Sequence, residues 1–254
     1  ARASDAPLYQ AYLQASPDDP AVKARFDSMV QQDKQARDRA QENAAVDARG
    51  RAVADGFAAL DRGDIVTARA RFSAVLANSP NDGDALGGMG IAALKQEKFD
   101  EARTYLERAS RAGNPARWKD ALTSASYWSY TSAGIGARSN GEIAKARSMF
   151  ERAIALNPSD TTAQTMLGET LLNSGDPRGA EQAYRMALRR QADNPDAIRG
   201  LVGALAAQGR GDEALSFANQ LNAEQQAKAG GINKLRGEAQ AAQARAAEAR
   251  GDLG

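Results

Sequence analysis

Residues 56–72 read GFAALDRGDIVTARARF. Gly56 stands twelve positions before Ala68, Phe72 follows four later, and Gly63 lies between them. The same frame returns as Gly90, Ala102 and Leu106, as Gly134, Ala146 and Phe150, and as Gly168, Ala180 and Tyr184. Successive glycines are 34, 44 and 34 residues apart. A period of this length, with glycine, alanine and a large apolar residue at set offsets, predicts stacked helix–turn–helix units. Glycine inside a helix costs about 1 kcal/mol relative to alanine, so its recurrence at one phase implies an offsetting close approach. The phase sets each glycine against the alanine of its partner helix. It predicts that Gly168→Leu or Ala146→Leu destabilises the pair more than the same change at exposed Ala144.

Working outward, five repeats can be laid down, at about Arg49–Asp82, Gly83–Ala116, Tyr127–Asp160, Thr161–Asn194 and Pro195–Lys228. In the fifth, Val202 takes the glycine place. Ser79-Pro80-Asn81-Asp82, Asn157-Pro158-Ser159-Asp160 and Asn194-Pro195-Asp196 each stop one helix and cap the next, because proline cannot continue a helix and short polar side chains accept its first amides. Ser16 to Pro20 has the same form, which makes Leu8 to Ala15 the second helix of an earlier repeat with Tyr9 in the aromatic place.

Two stretches break the period. Arg117 to Ser126 inserts about ten residues without proline or glycine, and predicts a long helix over Ala116–Arg138 with a kink or hinge at 117–126. Pro20 to Asp47 is polar and alanine-rich and predicts one or two helices with a thin stripe of Val22, Phe26 and Val30. The organisation expected is therefore residues 1–48 as the end of a repeat plus a polar helical segment, 49–116 as a first block, 117–126 as the inserted hinge, 127–228 as a second block, and 229–254 as the first helix of a further repeat. Glu238 to Arg250 supplies that helix and Arg250 to Leu253 its turn, which implies a piece of a longer protein.

This pattern resembles the tetratricopeptide-repeat (TPR) family. The resemblance implies an all-α solenoid, a right-handed superhelix of antiparallel helix pairs that presents binding surfaces rather than an active site. Composition agrees. There is no cysteine and no histidine, which removes thiolate chemistry, disulfides and the commonest general base and metal ligand. The 33 basic and 32 acidic residues are spread along the chain, so no basic block argues for nucleic acid. No apolar run approaches the roughly 20 residues of a membrane helix. No enzyme activity, cofactor or metal is expected.

Motifs with sharper chemical readings dissolve in the repeat frame. Arg62-Gly63-Asp64, Arg210-Gly211-Asp212 and Arg250-Gly251-Asp252 fall in or beside inter-helix turns, where glycine supplies a left-handed backbone and aspartate a cap. Gly134, Gly136 and Gly141 lack the Lys-Ser/Thr of a phosphate loop. The register assigns to the groove face Val53, Phe57 and Leu60, then Ile91 and Leu94, then Trp128, Thr131 and Ile135, then Thr162, Thr165 and Glu169. The first eight are the candidates for contact with a partner or a glycan, and Trp118 and Trp128 for stacking on sugar rings. None of these positions carries the lysine, asparagine and arginine set with which some TPR domains grip a C-terminal carboxylate.

A narrower resemblance rests on Asp84 to Gly90 followed by Phe99 to Arg103, on Ala116-Arg117-Trp118 leading to Tyr127-Trp128, on Asp196 to Gly203 with Ala206 to Arg210, and on Ala246 to Asp252. These stretches resemble the N-terminal repeats of the cellulose-export outer-membrane component of bacterial cellulose synthase. The resemblance implies a periplasmic scaffold whose parent protein ends in an outer-membrane β-barrel that exports the glucan. Its implied partners are other cellulose synthase subunits, with the cellulose chain or peptidoglycan as further candidates. It implies no catalytic residue, no nucleic acid and no membrane insertion by this segment.

Overall fold

The structure, a computed structural model, describes residues 6–15 and 20–250. Among them every regular element is a helix. Ser16 to Asp19, the turn Gly251 to Leu253 and the side chain of Tyr9, all used above, lie outside the described residues. The chain divides into two compact units, with the boundary between Ala92 and Ala93.

The first unit holds α1 (Ala6–Ala15), α2 (Pro20–Asp61), α3 (Ile65–Asn78) and most of α4 (Gly83–Lys95). The polar segment and the first helix of the first repeat, expected as separate pieces, are one helix of 42 residues. Nothing interrupts it: no further proline lies between Pro20 and Asp61, and its two glycines, Gly50 and Gly56, cost about 1 kcal/mol each. Its inward stripe near the start ends on Met29, 5% exposed, rather than on Val30, which is 46% exposed. The helical period explains the correction, since Val22, Phe26 and Met29 are spaced by four and three residues and Val30 turns a further 100° away. Gly63, at φ 77°, turns the chain, and the Asp64 side chain accepts the Thr67 amide to start α3.

The second unit holds the end of α4, then α5 (Phe99–Ala112), α6 (Pro115–Ser139), α7 (Ile143–Leu156), α8 (Thr162–Asn173), α9 (Pro177–Arg190), α10 (Pro195–Ala207), α11 (Gly211–Gln220), α12 (Ala223–Lys228) and α13 (Ile232–Arg250). Successive helices pack side by side from α5 to α11. Residues 117–126, where the sequence places a hinge, are an unbroken part of the 25-residue α6. The fifth repeat departs from its frame. α11 stops at Gln220, Asn222 and Gln225 form a reciprocal cap on the six-residue α12, and Gly230 and Gly231 turn the chain into α13. The last helix therefore begins at Ile232, before the Glu238 expected, and packs on both α10 and α11.

Three of the four frame glycines, Gly56, Gly134 and Gly168, meet aromatic rings rather than alanines. A Cβ on Gly56 would lie 2.5 Å from the ring of Phe72, one on Gly134 2.7 Å from Phe150, and one on Gly168 2.8 Å from Tyr184. Each ring reaches back sixteen residues, while the alanine of the frame is fully buried beside it. Phe72 and Tyr184 are closed on a second side as well, by Gly88 and Gly200, where a Cβ would come within 2.3 and 2.1 Å. The corresponding neighbour of Phe150 is Met166, which packs against that cluster.

A second periodic device was not anticipated. In three linkers an acidic or amide side chain caps the next helix and also ties back to a residue 33 positions earlier. Asp82 accepts the Ala85 amide at 2.9 Å and the Arg49 guanidinium at 2.6 Å. Asp160 accepts the Thr162 amide at 2.8 Å and the Tyr127 hydroxyl at 2.6 Å. Asn194 accepts the Ala197 amide and donates to Thr161 Oγ1, both at 2.9 Å. Burial pushes the Asp160 carboxyl up, but the Tyr127 hydroxyl and the Thr162 amide outweigh it and hold the group below its ordinary value. Tyr127→Phe is expected to cost about 1–2 kcal/mol, because the ring still packs but the carboxylate loses a donor. Urea unfolding of the variant checks this, and a loss under about 0.3 kcal/mol would make the bond dispensable.

Candidate functional site

On α8, Thr165, Glu169 and Leu172–Asn173 recur at helical spacing on one face. On α10 the corresponding face carries Asp196, Arg199, Gly200 and Gly203. The Tyr184 ring packs on the α10 backbone at Gly200, Leu172 lies beside it at Gly203, and α13 stands across the gap with Glu238 and Arg245. The three helices enclose a cavity of about 910 Å³, with Tyr184 of α9 reaching it from below.

Charge is distributed in pairs around it. Glu169 accepts the Arg138 guanidinium at 2.5 Å, and Asp196 accepts that of Arg199. Glu238 has Lys234 at 4.0 Å, and Arg245 donates to the Ala241 carbonyl at 3.3 Å. Burial raises the Tyr184 phenol well above its ordinary value, and the charges of Glu169 and then Asp196 raise it further, with Arg138 opposing them. The phenol therefore stays protonated across the physiological range. The lining offers hydrogen-bonding groups and charged side chains of both signs.

The residues singled out from sequence lie elsewhere. Val53, Leu60 and Thr131 are buried, at 8%, 2% and 2% exposure, and serve packing; the Thr131 hydroxyl donates to the Tyr127 carbonyl. Phe57 is half-buried edge-on to Phe72, 5.1 Å between centroids. Ile91 and Leu94 are half-buried on α4, and Ile135 is exposed on α6. Trp128 stacks on Phe99 at 5.9 Å and meets the edge of Tyr127 at 5.0 Å. Trp118 is 3% exposed and has the Arg117 guanidinium 4.6 Å from its ring centre, which leaves no indole face for a sugar. Of the positions the register put on the groove face, Thr165 and Glu169 line the cavity. Tyr184 escaped notice because its frame position reads as core; its hydroxyl, where other repeats have Phe72 and Phe150, was the available signal.

The chain matches the tetratricopeptide repeat family over residues 59–125, 131–195 and 165–229. It is similar to cellulose synthase operon protein C of Xanthomonas axonopodis pv. citri (strain 306), 40% identical over 95% of this chain and 16% of the relative. The protein of the same name from Pseudomonas fluorescens (strain SBW25) is 34% identical over 97% of this chain and 19% of the relative. The chain thus spans less than a fifth of the length of these relatives. Among solved structures it is similar to YrrB, described as a TPR protein with an unusual peptide-binding site, at 20% identity and a TM-score of 0.46 over 76% of this chain and 90% of that one. MamA is similar at 20% identity and a TM-score of 0.46, over 71% and 91%.

Proposed function

The chain belongs to the tetratricopeptide-repeat family, and from that premise we propose that it is a non-catalytic scaffold of bacterial cellulose synthesis. In this reading it stands in the periplasm and links synthase components to an outer-membrane export pore. The observation that carries the reading is the 40% identity, sustained over 95% of the chain, to a cellulose synthase operon protein. Repeat stacks of this kind hold other molecules through extended surfaces, since each unit contacts only its neighbours and leaves its flanks free. Among the described residues no helix is long and apolar enough to cross a membrane, which suits a segment that bridges rather than anchors.

The experiment is reciprocal co-purification from a cellulose-producing host, using the tagged chain and each other product of the operon. Enrichment of at least one synthase component over a scrambled-helix control supports the scaffold. Absence of every operon product after cross-linking removes it. A second reading, an adaptor that seats a partner peptide, is favoured by the cavity between α8, α10 and α13 and is compatible with the first. Guidance of the glucan by tryptophan stacking would rest on the half-buried Trp128, since Trp118 is buried.

A further inference from the structure

Polar side chains in the interior are concentrated on one helix. Among the described residues six are buried, and four of these, Thr161, Gln164, Thr165 and Thr170, belong to α8 or its first cap. The buried apolar side chains of α8 are Ala163 and Leu171, whereas α10 buries Ile198, Leu201, Val202 and Leu205 besides its alanines. The Thr165 and Thr170 hydroxyls donate to the Thr161 and Met166 carbonyls of their own helix, at 2.8 and 2.7 Å. Gln164 finds no such partner. It is 3% exposed, and its Oε1 accepts no hydrogen bond among the described residues. An orphaned buried group of this kind costs roughly 1–3 kcal/mol. The repeat frame shows that the cost is avoidable: four residues before Gly90 and Val202 stand Leu86 and Ile198, 1% and 0% exposed.

The glutamine stands where two cores meet. Buried residues of α6 and α7 cluster with Ala163, those of α9, α10, α11 and α13 cluster with Leu171, and half-buried Leu167 touches both. Gln164 shares its face of α8 with Leu167, Gly168 and Leu171, at spacings of three, four and seven, so an unbonded amide interrupts the stripe that joins the cores. The neighbouring ring is also less firmly held. Phe72 and Tyr184 are each shut between two glycines, but Phe150 has Gly134 on one side and Met166, an adaptable side chain, in place of the second. Intrinsic propensity adds little, because three threonines and a glycine occupy the twelve positions of α8. The start of the helix is better secured, by the Tyr127 bond to Asp160 and the Asn194 bond to Thr161.

We infer that α8 is a built-in seam of the second unit, where the stack opens locally between the α6–α7 core and the α9–α13 core, and that Gln164 sets how readily it opens. Local opening begins in elements with few buried apolar contacts, and α8 is such an element between two better-packed blocks. Because the curvature of a repeat stack is set by small rotations at each contact, a seam lets the second unit adjust to a bound surface without unfolding a repeat on either side. The inference is independent of what the chain holds. Its test is amide hydrogen exchange followed by NMR on the whole chain, read at Leu167 to Leu172 of α8, at Phe150 to Ala153 of α7 and at Tyr184 to Ala187 of α9. After correction for intrinsic rates, the α8 amides are expected to exchange at least about tenfold faster than both flanks. Gln164→Leu is expected to slow exchange in α8 about tenfold, the equivalent of roughly 1.4 kcal/mol, and to leave α10 unchanged. Gln164→Met repeats the trial with an unbranched apolar side chain that adapts to its surroundings. Slower α8 exchange in either variant supports the seam. Protection of α8 equal to that of α7 and α9, or exchange that is unchanged or faster in both variants, overturns it.

Discussion

Gly200→Val is expected to lower the stability of the α8–α10 region by about 3 kcal/mol, the upper range for overpacking a rigid core. The Cβ alone would sit 2.1 Å from Tyr184 Cζ, and that ring cannot retreat, because the Gly168 backbone lies against its other side, so close that a Cβ there too would come within 2.8 Å of the ring. Gly168→Leu and Ala146→Leu meet the same obstacle in the stack. Ala144→Leu, on an exposed position of α7, is expected to stay within about 0.5 kcal/mol of the parent. Because repeat stacks need not unfold in one step, the effect is best read locally, by amide hydrogen exchange in α8, α9 and α10. Equal protection in the Gly200 and Ala144 variants would show that the ring is not clamped.

Arg49→Ala is the second large effect, expected at about 2 kcal/mol. Arg49 donates to Asp82 at 2.6 Å and to Asp84 at 2.8 Å, and the Asp82 side chain is only 8% exposed. Removing the guanidinium leaves a buried carboxylate with the Ala85 amide as its main support, and stranding a charge is costlier than never having paired it. The exposure of Arg49 itself, 41%, keeps the figure below that of a fully buried pair. Arg49→Lys should recover part of the loss, since one ammonium cannot fork to two carboxylates. The pH dependence has a definite sign. Burial pushes the Asp82 carboxyl up, but Arg49 and the Ala85 amide hold it below its ordinary value. The stabilisation is therefore complete above the unfolded carboxylate value of about 4 and is lost as pH falls through the lower folded one. Hydrogen exchange at the start of α4 should separate parent from variant at neutral pH and converge as the solution is acidified below about pH 4. A difference that persists into strong acid would assign the effect to packing by the Arg49 stem.

The frame that runs from Gly56 to Tyr184 made the helix pairs legible, and with them the caps at Asp82, Asp160 and Asn194 and the long α6. These features arise within one repeat: propensity, proline stops and polar caps act over a few residues, and a buried face recurs with the helical turn. Met29 in place of Val30 was legible too, had the seven-residue spacing from Val22 been counted. The 33-residue ties were not legible, because Arg49, Tyr127 and Thr161 share a position but not a chemistry.

What the amino-acid order determined by itself is the alternation of helix and turn and the burial of the frame alanines and rings, since both follow from local geometry, whereas the burial of Val53, Leu60 and Thr131 depended on neighbouring helices. Only the tertiary structure decided that glycine is cut away for an aromatic ring rather than an alanine, because phase along a helix does not say where two helices cross. It alone placed the cavity at α8, α10 and α13, since a hollow is made by what three separate helices leave unfilled. The same packing made Tyr184, an ordinary core ring by its frame position, a residue that also lines the cavity.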